Sequence, residues 1–136
     1  TAFSRILTML NAPQVLASFL SGIISSRISF LILLNIVLLI LGMFIDGAPA
    51  ILILSPLLMP IAQQFGIDPV HLGIIMVCNL AVGLASPPFG LNLFVASSTN
   101  GAPIIEISRK VVPFILAFLV ALILITFVPS ISLCLV

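Results

Sequence analysis

Charge is what this chain has least of. Four basic and three acidic residues, 5% of the sequence, are spread over 136 positions, whereas a soluble domain carries about 25%. So few charges cannot build a water-facing surface without large apolar patches, so lipid must cover most of the outside. Nucleic acid is excluded as a partner. Phosphate binding needs a clustered basic face, and Arg5, Arg27 and the pair Arg109-Lys110 fall in three separate places. A single histidine, His71, leaves little for acid-base chemistry, and no nucleophile elbow, zinc-protease helix or phosphate-cradling glycine loop occurs. Asp46 and Asp68 lie at opposite ends of one apolar block, which argues against a paired-aspartate intramembrane protease. Cys78 and Cys134 sit in apolar runs without partners at metal or redox spacing and read as small hydrophobes.

What is plentiful is apolar. Hydrophobic residues make up 62% of the chain, and the mean hydropathy is +1.52. The start, Thr1-Ala2-Phe3-Ser4, reads as the end of an apolar helix, so the chain is expected to be the C-terminal part of something longer. No basic stretch with a small-residue cleavage site precedes an apolar run, so the apolar segments are read as mature structure. Gln14 to Ile24, opened by Pro13, is apolar on one side only and suits the membrane interface.

The first long block, Ile28 to Ile45, reaches about the length that crosses hydrocarbon, with one polar interruption at Asn35. Asp46-Gly47-Ala48-Pro49 breaks it. Ala50 to Ala62 is shorter and carries Pro56 and Pro60, a poor pattern for a straight, independent span. A re-entrant hairpin with Asp46 at its tip accounts for both features; the alternative is two full crossings with Asp46 as an exposed helix cap in a loop at an aqueous face. Gln63 to His71 is expected to be a loop at a membrane face, with Asp68-Pro69 capping the next helix and His71 solvated rather than a proton relay. Leu72 to Ala96 is broken by Ala85-Ser86-Pro87-Pro88-Phe89-Gly90, because adjacent prolines remove two backbone donors. Val111 to Val128 is the last span. Parity sets Arg27, the Gln63 to His71 loop and the C-terminus on one side and Arg109-Lys110 on the other. The basic pair makes the 98–110 connection cytoplasmic and turns the C-terminus outward.

Irregular backbone at membrane depth survives only where it is buried in protein or lines a cavity. The Ser86 break therefore implies a cavity whose carbonyls, with the Ser86 hydroxyl, suit Na+, while a helix N-terminus there attracts an anion; the alternative is a simple proline kink packed against its neighbours. Gly83 and Gly90 let the backbone approach closely. Asp46 at membrane depth would need a cation, donors or water, since a buried carboxylate costs about 2.5 to 3.5 kcal/mol even on lenient scales. Asn35, Asn79 and Asn92 are either interhelical glue or site residues, with Asn92 the best placed. Thr99 and Asn100 either line the exit of the broken helix or form a loop. Asp46-Gly-Ala-Pro and Asn100-Gly-Ala-Pro repeat, as shared turn chemistry or as the remnant of a duplication.

Three motifs carry a resemblance. Leu41-Gly-Met-Phe-Ile-Asp46, Ile67-Asp-Pro-Val-His-Leu-Gly-Ile-Ile-Met76 and Asn79-Leu-Ala-Val-Gly-Leu-Ala-Ser-Pro-Pro-Phe-Gly-Leu-Asn-Leu-Phe-Val95 resemble the large membrane subunit of tripartite ATP-independent periplasmic (TRAP) transporters. The likeness extends from Asn11-Ala-Pro-Gln14 to the last helix, with Ser86 where many relatives carry Thr. It implies a multi-pass bacterial inner-membrane symporter driven by Na+, with an organic anion as cargo. The partners it implies are a small membrane subunit and a periplasmic substrate-binding protein. The fold it implies is all-α and of the elevator ion-transporter type, with transmembrane helices, a re-entrant hairpin and a broken helix.

On that resemblance, 1–27 is the end of a preceding helix and a connector, and 28–97 the transport-domain hairpin and broken helix. The cytoplasmic connection is 98–110 and the C-terminal transmembrane helix 111–136. Substrate falls to Asp46, Gly47, Ser86, Pro87 and Asn92, and Na+ to Asp46, Gly83, Ser86 and Pro88. The rivals are a Na+/dicarboxylate-type symporter that needs no binding protein and a purely structural membrane subunit.

Overall fold

The computed structural model describes residues 26–134, so the expected interfacial segment Gln14 to Ile24 lies outside the described residues. Six helices account for almost all of the described chain: α1 (Arg27–Phe44), α2 (Gly47–Gln64), α3 (Pro69–Ala85), α4 (Leu91–Asn100), α5 (Ile104–Phe127) and α6 (Pro129–Leu133). By length and composition α1, α2 and α5 can each cross a membrane.

The Ser26 hydroxyl starts α1 by accepting the Ile28 N–H at 3.2 Å. Its buried residues, Phe30, Leu31, Leu34, Leu38 and Gly42, recur every three or four positions and form one stripe. Ile28, Ile32, Ile36 and Ile40 are apolar yet exposed, the all-round apolarity of a helix that meets lipid or further protein. Asp46 caps α2, its Oδ1 accepting the Gly47 N–H at 2.7 Å.

Here the structure departs from expectation. Pro56 and Pro60 lie inside one continuous helix of 18 residues. Four residues apart, they share a face, so the lost donors and any bend accumulate on one side and do not end the helix. Both α1 and α2 are about 27 Å long at 1.5 Å per residue. They touch each other little, and each leans on α3.

The expected loop from Gln63 to His71 shrinks to Phe65 through Asp68. After Gln64 the chain closes a glycine cap: Gly66, at φ +68, donates to Gln63 at 3.0 Å, and Ile67 donates to Ala62 at 3.0 Å. Phe65 stacks on Phe30 with ring centroids 4.9 Å apart. Asp68 then caps α3 through the Val70 N–H at 2.8 Å, with Pro69 in the first turn as expected. His71 is therefore helical, and at 1% exposure it is buried, not solvated.

The centre of the bundle is α3, which packs against all five other helices. Its closest approach is to α1. A Cβ added at Gly83 would lie 2.7 Å from the Gly42 Cα and 2.8 Å from the Leu39 carbonyl oxygen, and one added at Gly42 would lie 3.0 Å from the Leu80 Cα. Two glycines thus let the backbones touch, the small-residue packing that serves helices in lipid.

Beyond α4, Gly101 adopts the left-handed conformation at φ +68 and Ser97 Oγ donates to the Ala102 carbonyl at 2.7 Å. Only Gly101 to Pro103 separates α4 from α5, so most of the expected 98–110 connection is helical, and Arg109-Lys110 rides in the second turn of α5. Lys110 pairs with Glu106 at 3.2 Å on the surface. The repeated tetrapeptide folds in two ways. Gly47 opens a helix directly, whereas Gly101 closes one and Pro103 precedes the next.

Gly83→Ala forces a Cβ into backbone. It should destabilise the full-length protein by about 1 to 3 kcal/mol, the usual cost of overpacking, read as a lower melting temperature in detergent. Gly73→Ala, with open space around the new methyl, should leave the melting temperature unchanged or raise it.

Candidate binding site at the helix break

In a continuing helix, residues 87 and 88 would donate to the carbonyls of Gly83 and Leu84. Both are proline and carry no N–H. The chain rearranges around that loss. The Ser86 N–H moves to the Gly83 carbonyl at 2.9 Å, and the Ser86 hydroxyl takes its place at the Val82 carbonyl, 2.7 Å away. Gly90 then turns back, its N–H reaching the Ser86 carbonyl at 2.9 Å. A Cβ at Gly90 would lie 2.5 Å from the Leu84 oxygen and 2.7 Å from the Ser86 oxygen. The break therefore gathers hard oxygen atoms about a position that only glycine fits. With its proton committed to Val82, the Ser86 hydroxyl keeps its lone pairs for a ligand.

The second break lies beside the first. Phe44, two residues before Asp46, packs on Phe89 with centroids 5.0 Å apart, and Gly47 approaches Leu80. Asp46 itself is exposed, as are Pro88 and the first-turn α4 residue Asn92, whereas Ser86 is buried and Pro87 half-buried. Gly83 is occupied in another way. Its missing side chain admits Gly42, and its carbonyl already accepts Ser86.

Two open apolar grooves flank α5. One, of about 220 Å³, runs between Cys78, Val82 and Ala85 on one wall and Phe118, Leu122 and Ile125 on the other. The other, of about 210 Å³, joins Leu39, Met43, Ser86 and Pro87 to Val112, Ile115, Leu116 and Leu119. Among the described residues no three His, Cys, Asp or Glu side chains converge. A cation at the break would rest on carbonyl and hydroxyl oxygens.

The structure also assembles a polar cluster that sequence reasoning left in pieces. Asn79 donates to Asn35 Oδ1 at 2.7 Å and to the Ile75 carbonyl at 2.8 Å. Asn35 donates to the Leu31 carbonyl at 2.7 Å and accepts the Thr126 hydroxyl at 3.2 Å. His71 Nε2 meets the Thr126 carbonyl at 3.2 Å. Asn35 and Asn79 are interhelical glue, and Thr126 and His71 bring α5 into the same joint.

Three apolar helices that can span a membrane, packed around a fourth that ends in an oxygen-rich break, define a piece of a helical membrane protein. The family model for the tripartite ATP-independent periplasmic transporter DctM component matches residues 1–131, and the chain belongs to that family, the large permease subunits of TRAP transporters. It is 47% identical to the C4-dicarboxylate TRAP transporter large permease protein DctM of Pseudomonas aeruginosa, over 98% of this chain and 31% of that protein. It is 44% identical to the isethionate TRAP transporter permease protein DctMQ of Oleidesulfovibrio alaskensis, over 96% of this chain and 21% of that protein. It is 36% identical to the sialic acid TRAP transporter large permease protein SiaM of Vibrio cholerae, over 98% and 31%. The chain thus spans a third or less of these relatives.

Ser86→Ala would leave the Val82 carbonyl without its hydroxyl donor and should cost the full-length protein about 1 to 3 kcal/mol, the price of an unmet buried acceptor. Ser86→Thr, which keeps the hydroxyl, should melt close to wild type.

Proposed function

We propose that this chain is the C-terminal part of the permease subunit of a Na+-coupled secondary transporter in a bacterial inner membrane. It takes up an organic anion that a periplasmic substrate-binding protein delivers, and it works beside a small membrane subunit. The relatives are named for C4-dicarboxylate, isethionate and sialic acid, three small organic acids that are anionic at neutral pH. The common chemistry is an anionic head group, and this chain's cargo is of that class.

The observation that carries the reading is the oxygen-rich break set against a spanning helix. Ser86 and Pro87 share a groove with Val112, Ile115, Leu116 and Leu119, residues two to nine positions past Lys110, or about 3 to 14 Å along a helix. If Arg109-Lys110 mark the cytoplasmic boundary, Ser86 lies below the headgroups. Asp46 follows, since Phe44 touches Phe89 and Gly47 approaches Leu80, six residues before Ser86. At that depth free carbonyls and a carboxylate need partners that lipid does not offer. Na+ on the oxygens of Asp46, Ser86 and Pro88, joined by the second lone pair of the Gly83 carbonyl that Ser86 already engages, meets the need, and the bound cation in turn attracts the anion to Asp46-Gly47, Ser86-Pro87 and Asn92. An elevator movement of 28–97 as a hairpin and broken helix would carry that site across. The shallow contact between α1 and α2, each resting on α3, fits a unit that moves as one body around α3.

In the intact transporter, reconstituted with its binding protein and small subunit, Asp46→Ala should reduce Na+-driven uptake to background while the yield of folded complex is kept. Unaltered uptake would remove Asp46 from the mechanism, and uptake independent of the soluble binding protein would overturn the assigned partner.

A further inference from the structure

The polar cluster at the α1, α3 and α5 joint is short of protons. Thr126 presents a backbone carbonyl to His71 Nε2, and a carbonyl only accepts, so the imidazole proton sits on Nε2 and Nδ1 is left as a bare acceptor. The orientation of Asn79 is set in the same way. Its amide nitrogen faces two acceptors, Asn35 Oδ1 and the Ile75 carbonyl, which turns Oδ1 to the other side. His71 is 1% exposed and Asn79 0%, and among the described residues neither His71 Nδ1 nor Asn79 Oδ1 has a hydrogen-bond partner. The cluster has no donor to spare. The Thr126 hydroxyl goes to Asn35, the Asn35 amide to Leu31, and the Asn79 amide is used twice. Ser132 on α6, which packs on α3 and α5, adds a buried hydroxyl without a partner, a donor as well as an acceptor.

Two buried acceptors that no donor of these four residues meets call for a small molecule that donates. We propose that the Asn35, Asn79, Thr126 and His71 cluster is an internal water site, in which ordered water donates to His71 Nδ1 and to Asn79 Oδ1. Water fits better than a cation because no carboxylate belongs to the cluster. It also accepts in turn, so the Ser132 hydroxyl can enter the same network. Buried water commonly makes about three hydrogen bonds to groups that would otherwise have none. The site is distinct from the helix break, and it makes the seam between α5 and the α1–α3 pair a hydrated one.

The test uses the intact transporter in lipid with 15N-labelled histidine and proton-detected solid-state NMR, the His71 ring being assigned by its loss in His71→Gln. The expected result is a proton on Nε2, none on Nδ1, and a cross-peak from water to Nδ1. A proton on Nδ1, or an Nδ1 whose only neighbour is a protein side chain, would overturn the proposal. Should His71→Gln fail to fold, a high-resolution cryo-electron microscopy map decides. Water density about 2.7 to 3.2 Å from Asn79 Oδ1 supports the site, whereas a protein donor there, or apolar contact alone, contradicts it.

Discussion

The rest of the structure depends on one constraint, that every backbone amide and carbonyl inside a bilayer must find a partner without help from the solvent. Helices meet it automatically, and the described residues are almost all helical. At Pro87-Pro88 the helix cannot continue, because two consecutive residues bring no N–H. The local answer is economical: the Ser86 N–H steps back to Gly83, the Ser86 hydroxyl covers Val82, and Gly90 folds its own N–H onto the Ser86 carbonyl. That repair leaves an oxygen-lined turn. The Leu84 and Ser86 oxygens converge on Gly90, where no side chain fits, and this turn is the place proposed for a cation.

Around that turn, packing is arranged to bring helices close and to hold α5 in register. Gly42 and Gly83 let α1 and α3 touch through their backbones, which carries the Asp46 end of α1 to the break, where Phe44 meets Phe89. Contact between α3 and α5 is different in kind. It is interrupted by two open apolar grooves and secured at its far end by the Thr126 joint with Asn35 and His71. Close backbone packing and the Asn79–Asn35 hydrogen bond position α1 against α3, and the Thr126 hydrogen bonds tie α5 to both.

Much of this was legible in the sequence for physical reasons. Adjacent prolines announce a broken helix because the donors are chemically missing, and Asp68-Pro69 announces a helix start because the cap and the ring both favour it. Three features were not legible. Pro56 and Pro60 read as a disruption, but four residues apart they load one face of a helix that otherwise persists. His71, three residues after a cap, reads as surface, yet it is buried, with the Thr126 carbonyl, 55 positions further on, at its Nε2. Asn35 and Asn79 were each visible as polar residues in apolar blocks, yet their pairing joins positions 44 apart and depends on the parallel run of α1 and α3. Local chemistry was readable, and long-range pairing was not.

The central claim is that the Ser86 break and the Asp46 turn lie within the membrane and meet an aqueous cavity there. The most direct measurement is the depth of spin labels at Ala48 and Phe89 in the reconstituted transporter, taken from the ratio of oxygen to water-soluble relaxation agents and calibrated with labels along α5. Both labels should report the depth of Val112 to Leu119 together with access for the polar agent, as expected beside a water-filled cavity. Labels at headgroup depth, level with Arg109 and Lys110, would contradict the account.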